Sequence, residues 1–370
     1  MGLEQVTSAR AMDQRLLAER LTAMKQPNYR LKQAVRAYAV DFLSGWDEVT
    51  TFPKQLRDQC KEEIPWESLT PARTQESEKR ETVKTLFTCS DGKTIEAVLM
   101  RHEDGRNTVC LSCQVGCPMA CTFCATGTMG LKRQLTAEEM VEQVIWFARF
   151  LVPLKERITN IVFMGMGEPM HNYDEVMRAI RILHDPDGFN LGARHFTIST
   201  CGIVPGILKL AEEDLQVNLA ISLHSAVDAT RTSIMPVNRA YPLKALMEAV
   251  DVYTEKTNRK VFFEYLLLKG INDTEKEAEA LEKLLGYNRR LFHVNLIKYH
   301  DTAMFTATPK EQRFAFMEWL QERGMPVTHR VTFGEDIDAA CGQLAINDAD
   351  DLMQGVDAAR KNRQKKSAKV

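Results

Sequence analysis

From Thr108 onward the chain repeats one rhythm: a short apolar run rich in β-branched and aromatic residues, then an amphipathic stretch with helical spacing. The runs are Thr108–Cys113, Ile158–Met164, His195–Thr200, Val217–Leu223, Val261–Leu267 and Phe292–Ile297. The first helical stretch, Ala137–Phe150, opens on a capping box of Thr136 and Glu139 and carries an apolar face of Val141, Val144, Ile145 and Ala148. Others begin near Tyr173, Pro205, Pro242, Thr274 and Pro309. Strands alternating with helices imply an α/β fold with parallel strands joined by right-handed crossovers. Six units are too few for a closed eight-stranded TIM barrel and predict a partial (β/α) barrel.

The polar motifs fall where such a barrel places chemistry. The cysteine-rich loop follows the first strand, Gly165-Met166-Gly167-Glu168 the second, Ser199-Thr200-Cys201-Gly202 ends the third, Ser222-Leu223-His224-Ser225 the fourth, and Lys298-Tyr299-His300 follows the sixth. Catalytic residues of α/β barrels collect at this C-terminal rim. Motifs scattered over the sequence are therefore expected to face one site.

Cys117, Cys121 and Cys124 form a C-x3-C-x2-C triplet. A 4Fe-4S cluster usually takes four thiolates, so three in one loop would leave an iron open for another ligand. A structural zinc site is the alternative, with His102, Cys110 or Cys113 as a fourth ligand, although no second closely spaced ligand pair follows. The triplet and the aromatic before its last cysteine resemble the radical S-adenosylmethionine (radical SAM) superfamily, in which SAM chelates the open iron. Glycines where the second strand exits let backbone approach a ligand closely, and the Gly-Glu turn resembles that superfamily's motif for the SAM amino group. Gly167 and Glu168 are thus the first expected cofactor contacts, with Ser199, Ser222, Leu223 and His224 placed to bond the SAM ribose and carboxylate.

Residues 1 to about 85 read as helical: Ala11–Met24, Tyr29–Leu43 and a short helix opened by Pro53. Arg30 and Lys32 share a turn, either an RNA-docking face or simply a solvated one. A hairpin-like pair follows at Thr82–Thr88 and Ile95–Met100. The expected domains are a helical accessory unit 1–85 that binds RNA, a connecting hairpin 86–105, a core barrel 106–345 and a basic tail 346–370 whose cations can hold an RNA backbone or remain a solvated end. Nine cysteines suit metal or catalytic roles better than a disulfide framework, since the cytosol keeps thiols reduced. No stretch of about twenty apolar residues is present to cross a membrane, and the N-terminus lacks an apolar signal core. A cytoplasmic protein is expected.

Together with Gln114-Val115-Gly116-Cys117, Phe163-Met164-Gly165-Met166-Gly167-Glu168, Ser222-Leu223-His224 and Asn295-Leu296-Ile297, the segment Glu335-Asp336-Ile337-Asp338-Ala339-Ala340-Cys341-Gly342-Gln343-Leu344 resembles the RlmN/Cfr family of radical SAM RNA methyltransferases. The resemblance runs from about Tyr29 to Leu344. It implies a radical SAM barrel with a small helical accessory domain, one 4Fe-4S cluster on Cys117, Cys121 and Cys124, and methylation of carbon 8 or carbon 2 of an adenosine in 23S ribosomal RNA. Cys341 would carry the methyl group: one SAM methylates its sulfur, and the 5'-deoxyadenosyl radical from a second SAM takes a hydrogen from that methyl. The carbon radical would add to adenine, and a second thiol would release the product by attack on the Cys341 sulfur. Cys110 sits at the family position for that thiol, with Cys113 a rival. Glu96 matches the family's proton acceptor, although its spacing to Cys110 is one residue longer than usual; an exposed strand residue is the alternative. His300 stands where the family has an Asn contact to SAM. Within the family, Ser225, Phe333-Gly334 and His293–Tyr299 resemble the Cfr branch, which acts at carbon 8, more than the RlmN branch, which acts at carbon 2. A reductant such as flavodoxin or ferredoxin is an expected partner, transfer RNA a further candidate substrate, and no membrane is involved. Outside the family, the competing readings are a radical SAM enzyme with a non-RNA substrate and a noncatalytic zinc-containing RNA-binding protein.

Overall fold

The structure is a computed structural model that describes residues 12–300, 304–340 and 342–344. Cys341 and the basic tail 346–370 lie outside the described residues. Three helices come first, α1 (Gln14–Ala23), α2 (Tyr29–Ala39) and α3 (Lys54–Glu63). Asp13 caps α1 by accepting from the Arg15 and Leu16 amides. The helices close over a small aromatic core, in which Trp46 meets Trp66 edge-on at 4.9 Å and donates its indole N–H to the Ile64 carbonyl. Helical structure ends at Glu63, short of the expected residue 85. Instead Leu69–Glu76 forms strand β1, paired antiparallel with β2 (Thr82–Cys89), which pairs with β3 (Thr94–Arg101) and through it with β4 (Asn107–Cys110).

Beyond β4 lie a two-stranded clip of β5 (Gln114–Val115) and β6 (Arg133–Gln134), the short helix α4 (Ala125–Thr128) between them, and then the barrel units. The units are α5 (Ala137–Leu151), β7 (Asn160–Phe163), α6 (Tyr173–His184), β8 (Phe196–Thr200), α7 (Val204–Ala211), β9 (Asn218–Ser222), α8 (Asp228–Ile234), α9 (Leu243–Thr257), β10 (Val261–Leu267), α10 (Glu275–Leu285), β11 (Phe292–Lys298), α11 (Lys310–Glu322) and β12 (Val327–His329). One ten-stranded sheet runs β1-β2-β3-β4-β7-β8-β9-β10-β11-β12, parallel from β4 to β12. The six expected strands are all present, and β12 adds a seventh to the parallel set. This is the α/β partial barrel expected from the alternation.

The capping box forms as expected: the Thr136 hydroxyl accepts from the Glu139 amide and the Glu139 carboxylate accepts from the Thr136 amide. Helix α5 is nonetheless buried on its polar side as well, because the N-terminal segment lies across it. Glu142 accepts from the Ser68 amide and hydroxyl and from the Leu69 amide, and Arg149 donates to the Phe42 and Leu43 carbonyls. Burial pushes the Glu142 carboxyl up to about 8 even against those donors. Among the described residues no helix is long and apolar enough to cross a membrane.

Candidate active site

Strand exits at one end of the sheet surround a cavity with about 840 Å³ of empty space, its open mouth included. Cys117, Cys121 and Cys124 line one side; Gly165, Gly167, Glu168, Ser199, Ser222 and His224 continue the wall from β7 to β9. Gly165 is required there, since a Cβ would meet the Leu111 carbonyl oxygen at 2.7 Å. Gly167 adopts φ +110, and a Cβ on it would press on Gln114 and on the Cys113 sulfur.

The cysteine loop is clamped from several sides. The Thr122 amide donates to the Ile234 carbonyl at 2.9 Å, and Phe123 meets the His224 ring edge-on at 4.8 Å. Burial pushes the Cys117 thiol up to about 12 and that of Cys121 well above its ordinary value. A thiolate here therefore requires a bound cation, as an iron centre would supply. Among the described residues no three His, Cys, Asp or Glu side chains form a set for a single metal ion. His102 bonds the Thr108 hydroxyl and meets Phe333 edge-on, and Cys113 is packed beneath Gly167. The donor set, three thiols from one loop on the wall of a cavity that polar groups of β7 to β9 also line, fits an iron-sulfur cluster with SAM next to it.

Glu168 is buried, and both of its carboxylate oxygens are engaged by backbone: Oε1 by the Met170 amide and Oε2 by the Cys201 amide. It thereby ties the exit of β7 to that of β8. Leu223 has its side chain in the core; its carbonyl accepts from the guanidinium of Arg231, a fully buried residue that also takes the carbonyls of Cys201 and Ser222. His224 stands in the left-handed region at φ 57. Its Nδ1 accepts the Leu266 amide at 3.0 Å, so the ring proton sits on Nε2 as a donor for the cavity.

Burial, with a smaller push from Arg231, lowers His224 from 6.5 to about 3. The unfolded chain takes up a proton below 6.5 that the folded chain refuses until about 3, so the stability contribution is whole above 6.5 and lost as pH falls through that window. His224→Gln is expected to flatten the acid side of stability against pH, read as the urea midpoint. An unchanged slope would mean the imidazole is not held neutral.

Four of the site residues expected from sequence do not line this cavity: Leu223, whose side chain is in the core, His300, Cys110 and Glu96. His300 is buried with Nδ1 3.2 Å from a Glu335 carboxylate oxygen. Cys110 ends β4 half-buried, and its register partner on β3 is Val98. Glu96, two residues before Val98, is buried against Lys84 rather than exposed on its strand. Although Cys341 is outside the described residues, its neighbours are placed: Gly342 lines the cavity and its carbonyl accepts from the Ala125 amide at 2.9 Å, while the Leu344 carbonyl accepts from the Thr126 hydroxyl.

Sequence reasoning missed Glu264 and Arg330. Glu264 lines the cavity from β10, accepting from Asn295 Nδ2 at 3.0 Å and lying 3.4 Å from Arg330 Nη1, which also approaches the Met164 sulfur. A lone charge inside the apolar run Val261–Leu267 was the available signal.

Comparison with known proteins agrees with this geometry. The radical SAM superfamily profile matches residues 111–280. The probable dual-specificity RNA methyltransferase RlmN of Staphylococcus saprophyticus is 46% identical over 321 residues, 86% of this chain and 87% of that protein. Its counterpart of the same name in Geobacillus kaustophilus is 45% identical over 332 residues, 89% of each. A crystal structure of a radical SAM methyltransferase from Sphaerobacter thermophilus superposes with a TM-score of 0.87 at 46% identity, covering 91% of this chain and 98% of that one.

Proposed function

We propose that this chain, which belongs to the RlmN family of radical SAM RNA methyltransferases, methylates carbon 2 of an adenosine in 23S ribosomal RNA through a methyl group carried on Cys341. The observation that carries the reading is the pair of bonds from Ala125 and Thr126, immediately after the last cluster cysteine, to Gly342 and Leu344, the first and third residues after Cys341. They hold the segment that leaves Cys341 against the cysteine loop. The relatives' RlmN name supports the carbon 2 branch over the carbon 8 leaning, and the words dual-specificity in that name support a second RNA substrate, for which transfer RNA is the proposed candidate.

Cys117, Cys121 and Cys124 hold the 4Fe-4S cluster in this reading, and Gly167, Glu168, Ser199, Ser222 and His224 form the SAM wall, His224 through Nε2–H, while Leu223 backs the wall from the core, its amide and carbonyl taken by Glu264 and Arg231. The cluster would supply one-electron cleavage of the bound SAM. The protein's own residues bring the Cys341 methyl and the adenine together and keep water from the radical. Glu96 accepts the proton that leaves the adenine carbon, and Cys110 attacks the Cys341 sulfur to release the product. Cys110 is favoured over Cys113 by access, since Cys113 is 2% exposed and walled in by Gly167 and Gln114. His300 is proposed to act on the approach to the site, through its bond to Glu335. Unpaired, splayed bases are what sequence-selective proteins usually read in RNA, and the target adenine must leave its stack to reach the rim.

Anaerobically reconstituted protein, reductant, methyl-labelled SAM and ribosomal RNA lacking the modification provide the test. Labelled 2-methyladenosine is expected by mass spectrometry; 8-methyladenosine would move the protein to the Cfr branch, and no labelled adenosine with SAM still cleaved would overturn the substrate. The helical module is proposed to dock RNA. Arg30→Glu with Lys32→Glu is expected to weaken RNA binding several-fold, about tenfold at low salt, without altering SAM cleavage. Equal affinity in a filter-binding assay would remove the module from RNA recognition.

A further inference from the structure

Lys84 has no part in the reading so far, yet its charged side chain is buried. On β2, beside the register pair Leu86–Glu96, its Nζ lies 3.3 Å from Glu96 Oε1, and the two side chains are each 5% exposed. The same Nζ donates to the Asp338 carbonyl at 3.1 Å. Asp338 is held in the left-handed region, φ 51, after the short turn Glu335–Ile337, and the Ala339 amide closes that turn onto the Gly334 carbonyl. Gly334 packs on Thr82, one turn of the pleat from Lys84. One ammonium thus touches the carboxylate of Glu96 and the backbone three residues before Cys341.

Taking two charges out of water is costly, and a buried ion pair rarely adds stability over apolar side chains of the same size. Its better-supported use is to fix one arrangement among several. A lysine offers three donors on a flexible stem, so it can satisfy a carboxylate and a carbonyl together. We propose that Lys84 is a positioning residue that couples the proton-accepting carboxylate of Glu96 to the loop carrying Cys341, so that both are in place together. The inference rests on the proposed role of Glu96.

The test is a double-mutant cycle on anaerobically reconstituted full-length protein, with Lys84→Met, Glu96→Gln and the pair. Each single variant is expected to lose about 100-fold in RNA turnover at saturating RNA, with little change in KM for RNA, and the pair to lose no more than the worse single. Amide exchange over residues 334–340 should quicken in Lys84→Met and not in Glu96→Gln, whereas Lys84→Arg, which keeps the charge and donors, should restore turnover to within about tenfold of the parent. Iron content and melting temperature establish that each variant is folded. If Lys84→Met does not fold, Lys84→Gln takes its place in the cycle. Losses that multiply to about 10⁴ in the pair, or Lys84→Met turning over normally while Glu96→Gln is dead, overturn the coupling and leave Glu96 its role. Glu96→Gln with full turnover removes the proton acceptor, and the coupling with it.

Discussion

Cys341→Ala is expected to abolish RNA methylation, a loss of at least about 10⁴-fold, because no other group can carry the methyl to the base. SAM cleavage should continue, since the cluster thiols and the β7–β9 wall are untouched. Cys110→Ala should fail one step later, leaving RNA covalently joined to Cys341 and visible as a protein band that carries RNA. Cys113→Ala should release product normally, because a thiol packed beneath Gly167, raised well above its ordinary range by burial, is neither accessible nor ionised. An adduct trapped by Cys113→Ala and not by Cys110→Ala would exchange the two assignments. Methylation surviving in Cys341→Ala would remove the carrier altogether.

The barrel was legible because β7 to β11 are apolar runs of four to seven residues separated by helices with clear faces. β12 was not: three residues, Val327-Thr328-His329, none buried, leave no pattern to read. Nor was β1, an edge strand with only Leu69 buried and Pro71 near its start. Its register slips between Pro71 and Arg73, as a strand missing a donor at the edge does. In the site, the motifs at strand ends were readable from position alone. Lys84 was not, since Thr82-Val83-Lys84-Thr85 reads as ordinary strand alternation, and its partner Asp338 is 254 residues away. Glu96 and Lys84 meet only through the β2–β3 register, which sets Leu86 opposite Glu96. Burial of charge by a segment so distant in sequence has no local signature.

That same distance between sequence and geometry sharpens the second large effect. The cysteine loop starts at Gly116 and returns at Gly130, and its base is fastened by the Val115–Arg133 pairing and the Lys132 amide on the Val115 carbonyl. Gly116 has φ +74, and a Cβ there would lie 1.9 Å from the Gly130 carbonyl oxygen, a backbone atom that cannot step aside without opening the loop. Gly116→Ala should therefore lose iron as surely as removing a ligand, although all three thiols remain; a fall of about 10- to 100-fold in cluster affinity is the scale expected when ligands are displaced from their supports. Gly130→Ala is the control. It shares the left-handed backbone, φ +63, but nothing lies within 4 Å of its Cβ, so it should cost only about 1–2 kcal/mol of backbone strain and keep its iron. Iron and sulfide per chain after anaerobic reconstitution, with the visible absorption, separate the two. If Gly116→Ala holds iron as the parent does, the pinch at the base of the loop does not position the thiols, and their placement must come from the Thr122 and Ala125 contacts instead.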